Sequence, residues 1–304
     1  MKFMTRIRDR QLLDGCHVCV GLDSAMKHIP AHFVASGRLR SRANIILAFN
    51  QAIVDTTKSY ACAFKLNIAF YSAVPGDEEA LRKTITYIHE TAPEVPVILD
   101  AKRADIGNTN NEYVAEAFVK FDADAVTVNP YFGQEGLKPF LEMGDKGIIV
   151  LCRTSNPGAA EFQNLPILIT SRNDADDLGI CKGDRHLSIN LSVPLYEYVA
   201  MCVAKRWNEK GNCALVVGAT APNELKRVRS IVGDMQILIP GIGAQGGQLE
   251  ATVKAGVDSN GTGMIINSSR GIIFASSGKD FAEAAAREAE KLNEEIKACL
   301  SPRV

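Results

Sequence analysis

The chain carries almost no excess of charge of either sign: 34 Lys and Arg stand against 35 Asp and Glu, a net charge of -1. A surface that grips nucleic acid through its phosphates needs a basic excess, so no nucleic-acid partner is expected, although a local anion pocket remains open. Long apolar runs are also missing. None approaches the roughly 18 residues that span a bilayer, so no membrane partner is expected either. The basic start, residues 1–8, lacks the apolar core of a signal peptide. Histidine is scarce, five residues scattered without a ligand-like cluster. Cysteine is plentiful, but Cys19, Cys62, Cys152, Cys202 and Cys213 sit inside apolar runs. Such placement suits reduced thiols used as small hydrophobes in the cytoplasm. Cys16 and Cys19 form C-x-x-C on a predicted strand, where positions three apart face opposite sides. No second pair follows, so no metal site is expected there.

What the chain does have is alternation. Short, continuously apolar stretches at 17–22, 62–66, 95–99, 125–128, 147–152, 214–217, 236–239 and 263–266 read as buried parallel strands. Between and after them, 3.6-residue spacing predicts helices at 44–59, 77–91, 108–121, 135–143, 194–209, 222–232, 248–255 and 280–299. Gly76-Asp77 reads as a helix N-cap, and Gly144 and Gly256 read as C-caps. Eight strand–helix pairs in 304 residues predict an α/β fold, a (β/α)8 TIM barrel formed as one domain over residues 1–304. A doubly wound open sheet is the runner-up. Two long connections, 24–42 and 153–193, follow strand ends, where a barrel keeps its active-site loops. The second reads as a partial lid.

One stretch resists a purely structural reading. The apolar run 95–99 ends in Asp100, Lys102 and Asp105. Asp100 and Lys102, two apart, fall on one side of an extended chain. Alone, this is either a salt-bridged strand end or a charged catalytic array. The other strand ends contribute Asp23; Phe64-Lys65-Leu66-Asn67; Thr127-Val128-Asn129; Arg153-Thr154-Ser155-Asn156-Pro157-Gly158; and Asn267-Ser268-Ser269-Arg270-Gly271. A barrel gathers these at one mouth. The seventh strand end gives Pro240-Gly241-Ile242-Gly243-Ala244-Gln245-Gly246, which fits G-x-G-x-x-G. It lies late in the chain, and the acidic residue expected about 20 positions on is not clearly placed, so no dinucleotide cofactor is expected. Glycine amides with Arg270 suit a phosphate instead.

These motifs, in this order, make the chain resemble the orotidine 5'-monophosphate decarboxylase family, in its longer-chain (type 2) branch. The likeness runs from Gly21-Leu22-Asp23 to Asn267-Ser268-Ser269-Arg270-Gly271. Four stretches carry it: 64–67, 100–109, 153–158 and 240–247. The resemblance implies decarboxylation of orotidine 5'-monophosphate to uridine 5'-monophosphate in pyrimidine biosynthesis, without a cofactor or metal. It implies a catalytic network of Lys65, Asp100, Lys102 and Asp105, with Lys102 as proton donor. Asp23 and Lys65 would contact the ribose, Ser155 the pyrimidine, and Gln245 and Arg270 the phosphate, with Pro240 also lining the substrate. Asp105, Ile106 and Thr109 would reach into the neighbouring subunit's site, so a homodimer is implied. Orotate phosphoribosyltransferase, the preceding enzyme of the pathway, is a further candidate partner. Two readings compete. Metal-dependent sugar-phosphate decarboxylases and aldolases of the same barrel superfamily need a carboxylate where Lys65 stands. A catalytically silent nucleotide-binding barrel would have no reason to keep so costly a set of charges.

Overall fold

The structure is a computed structural model, and it describes residues 2–35, 41–179, 191–242 and 249–300. Eight parallel strands form it at the centre: β1 Val18–Gly21, β2 Ala61–Asn67, β3 Val97–Arg103, β4 Ala125–Val128, β5 Gly147–Arg153, β6 Cys213–Val217, β7 Ile237–Pro240 and β8 Met264–Ser268. Each overlaps its predicted stretch. β1 pairs with both β2 and β8, so the sheet closes into a barrel, and the open-sheet alternative falls. The strands are apolar except towards their carboxyl ends, because both faces are covered. Phe64, Leu66, Val97, Leu99, Val126 and Val128 face the helical layer. Ala63, Ile98, Ala125, Ile149, Leu238 and Ile265 fill the interior.

The helical layer comprises α2 Arg42–Thr57, α3 Glu78–Thr91, α4 Gly107–Ala115, α5 Gly133–Leu141, α6 Leu195–Cys202, α7 Pro222–Val232, α8 Leu249–Gly256 and α9 Phe281–Leu300. The longer helices expected at 108–121 and 194–209 continue past α4 and α6 as π-helical turns, Glu116–Lys120 and Val203–Trp207. Asp77 precedes α3 but its side chain does not cap it; its buried carboxylate takes the guanidinium of Arg42 instead. Gly144 and Gly256 lack the positive φ of a left-handed C-cap, and α8 runs through Gly256. Among the described residues no helix is long and apolar enough to cross a membrane.

Two features stand out among the elements that were not expected. The first, α1 Phe3–Leu12, lies across the amino-terminal end of the barrel. Its Phe3 and Ile7 belong to the interior cluster. Arg10 donates to the Ala61 carbonyl from Nε at 3.0 Å and Nη2 at 2.8 Å, and Gln11 donates to the Met264 carbonyl at 2.6 Å. Gly147 at the foot of β5 makes room for this helix: a Cβ there would meet the Phe3 ring at 2.3 Å. The second is an antiparallel pair, Pro166–Ile169 with Leu191–Pro194, in the long excursion after β5. That excursion also holds short helices at Ala159–Gln163 and Arg172–Asp177.

Candidate active site

Strand alternation places the charges. Ala63 and Ile98 face the interior, so Lys65 and Asp100, two residues on, face it one layer higher. Thr127 follows Ala125 in the same way. These three, with Asp23, Lys102, Pro240, Asn267 and Arg270, line a cavity of about 660 Å³ at the carboxyl ends of the strands.

Lys65 and Asp100 are almost fully buried. The Lys65 ammonium lies 3.1 Å from Asp100 Oδ2 and 3.6 Å from Asp23 Oδ1. The other carboxylate oxygen of Asp100 accepts from Lys102 Nζ at 2.5 Å and from the Thr127 hydroxyl at 2.9 Å. Burial would push the Lys65 pKa down, but the carboxylates of Asp100 and Asp23 outweigh it and hold it above the ordinary lysine value. Burial likewise opposes ionisation of Asp100. Lys65, Lys102 and the Thr127 hydroxyl reverse this and hold its pKa well below the usual carboxylate range. Asp100 is therefore a fixed anion between two cations. Lys102, its side chain 47% exposed, is the most exposed of these four linked charges.

The expectation that Asp100 and Lys102 share a side holds, but not through regular extension. Lys102 has φ +50°, a left-handed conformation rare for residues other than glycine. The register of β3 against β4 breaks between Leu99 and Arg103. The strand bulges where it presents the lysine.

The remaining expected residues divide. Asp23, Ser155, Pro240 and Arg270 line the cavity with Lys65, Asp100 and Lys102. Arg270 opens the short helix Arg270–Ile273 after β8, with its side chain exposed. Asp105, Ile106 and Thr109 do not line the cavity of their own chain. Asp105 accepts from the Ile106 amide at 2.7 Å, and Ile106 is 63% exposed. Gln245 lies outside the described residues, as do Gly243, Ala244 and Gly246 of the glycine-rich stretch. Gly241, which opens that stretch, has φ +105° and lines the mouth. Two residues named at the strand ends were given no role from sequence. Thr127 bonds to the array directly. Asn267 is buried on β8, lines the cavity, and its Oδ1 has no donor among the described residues. The signal for both was present, since each follows an interior residue by two, Ala125 and Ile265. The Cys16 and Cys19 thiols are buried and free. Among the described residues no group of three or more His, Cys, Asp or Glu could hold a metal ion.

Set beside known proteins, residues 17–287 match the family described as "Orotidine 5'-phosphate decarboxylase / HUMPS family". An orotidine 5'-phosphate decarboxylase of Janthinobacterium sp. (strain Marseille) is 46% identical over 279 residues, covering 92% of each chain. The solved structure of Leishmania donovani OMP decarboxylase is 34% identical, with a TM-score of 0.76 over 99% of each chain. Leishmania donovani UMP synthase is 35% identical with a TM-score of 0.77; the match covers 99% of this chain and 57% of that one.

Proposed function

The chain belongs to the orotidine 5'-phosphate decarboxylase / HUMPS family, and from that premise we propose how its barrel converts orotidine 5'-monophosphate to uridine 5'-monophosphate and carbon dioxide. The observation that carries the reading is the unbroken run of contacts Asp23–Lys65–Asp100–Lys102 at the cavity wall. Loss of carbon dioxide from C6 leaves an electron pair in the plane of the pyrimidine, where the ring cannot delocalise it. Stabilisation must then come from a fixed positive charge beside C6. Lys102 supplies that charge and then its proton, which replaces the departed carboxylate on carbon. Asp100 fixes the ammonium. It also sets a negative charge near the substrate carboxylate, a repulsion relieved as carbon dioxide leaves.

Asp23 and Lys65 bind the ribose hydroxyls in this reading, and Ser155 the pyrimidine. Pro240, Arg270 and Gln245 surround the phosphate, which lies far from the reacting carbon. Remote binding of that kind can be spent on orienting the ring. Asp105, Ile106 and Thr109, which leave their own cavity unlined, complete the site of a second subunit in a homodimer. Residues 1–304 work as one domain in the cytoplasm, without a metal or organic cofactor.

The test follows the absorbance change on adding orotidine 5'-monophosphate with excess EDTA present. The wild-type chain is expected to turn over at full rate. Lys102→Ala is expected to lose turnover by at least about a thousandfold while still binding uridine 5'-monophosphate, because it removes both the charge and the proton. Near-normal turnover by that variant overturns the role of Lys102. Loss of wild-type activity in EDTA points to the metal-dependent branch of the superfamily.

A further inference from the structure

The mechanism needs Lys102 held at one point, yet its backbone is the least regular part of β3. Its φ of +50° and the register break between Leu99 and Arg103 take it out of the sheet ladder. Its amide instead donates to the Thr127 side-chain oxygen at 3.0 Å. The same hydroxyl donates to Asp100 Oδ1 at 2.9 Å, the oxygen that also receives Lys102 Nζ at 2.5 Å. A threonine hydroxyl has one proton and two lone pairs. Here the proton and one lone pair are both used on the loop that carries the lysine. Backbone, hydroxyl, carboxylate and ammonium thus close a ring of contacts, and Thr127 is its only member outside β3.

We propose that Thr127 is a positioning residue: it ties the strained backbone of Lys102, and the carboxylate that holds the Lys102 ammonium, to one point on β4. It acts through those two groups. Position 127 is otherwise an interior strand site, where an aliphatic side chain such as valine would satisfy the packing. The hydroxyl is there for the ring of contacts. The consequence for turnover rests on the decarboxylase reading above; the positioning itself rests on geometry.

The test compares Thr127→Val, Thr127→Ala and Thr127→Ser. Two readouts are taken: steady-state decarboxylation, and residue-resolved hydrogen exchange of the Lys102 amide. Valine keeps the shape and removes the hydroxyl; alanine, which removes the hydroxyl and the methyl together, is used if the valine variant fails to fold. Either is expected to lower kcat about ten- to a hundredfold, as befits a bond to a charged group, with KM little changed. The Lys102 amide is expected to exchange at least about tenfold faster, while Leu99 in the regular part of β3 keeps its protection. Serine is expected to restore both. Wild-type kcat in the valine or alanine variant overturns the inference. So does unchanged protection of Lys102, or a loss confined to KM, which would make Thr127 a substrate contact. If the wild-type chain does not decarboxylate the nucleotide, the functional reading fails, and the exchange measurement still decides whether Thr127 positions Lys102.

Discussion

Asp100 balances two ammonium groups, Lys65 buried beside it and Lys102 half-exposed at the cavity wall. Replacing it with asparagine preserves its outline but leaves the buried Lys65 with Asp23 alone, at 3.6 Å. Removing one partner of a buried pair costs about 3 kcal/mol. Asp100→Asn is therefore expected to be inactive and also less stable by about that amount in urea unfolding at neutral pH. The pH dependence has a definite sign. Burial works against the charged form, but Lys65, Lys102 and Thr127 hold the folded-state pKa below that of an ordinary aspartate. The carboxylate's contribution is then complete above about pH 4, the unfolded value, and is lost as pH falls below it. The stability gap between wild type and variant should narrow on acidification from about pH 5 towards pH 2. A gap constant across that range would mean Asp100 is not the anion of the array.

At the level of whole elements, the amino-terminal helix and the foot of β5 fit as plug and socket. Gly147→Ala is expected to cost about 1–3 kcal/mol, because the added methyl has to displace the Phe3 ring. Phe3→Ala should relieve that clash, so the double variant should lose less than the sum of the singles in urea unfolding. Strict additivity would show that the ring and Gly147 do not press on each other. The eight strands were legible in the sequence because doubly covered strands read as unbroken apolar runs. Lys65 and Asp100 were legible because each interrupts or ends such a run. The helix at Phe3–Leu12 was not, because half of its inner face is Arg10 and Gln11. Those side chains are buried through hydrogen bonds to carbonyls, which hydrophobic spacing does not register. The pair Pro166–Ile169 and Leu191–Pro194 escaped for two other reasons. Only Ile169 and Val193 of it are buried, so it has no core pattern, and its strands lie far apart in sequence. Thr127 was placed at the mouth but given no role, because threonine is at home in any strand.

For the molecule as a whole, the proposed sharing of residues between subunits gives a test that one chain cannot pass. Lys102→Ala and Asp105→Ala should each be inactive as homodimers. Unfolded and refolded together in equal amounts, they should recover about a quarter of wild-type activity, because half the dimers are mixed and each mixed dimer holds one intact site. No recovery would place Asp105 in its own subunit's chemistry, and an active Asp105→Ala homodimer would place it outside the reaction. The floor laid by Phe3 and Ile7 beneath the interior residues has a consequence for traffic. Among the described residues, the well is closed at its base. Whatever is made in it leaves through the opening by which the nucleotide came in, so the small gaseous product has to slip past the larger one or wait for it. The order of exit is decided at the rim rather than at the lysine.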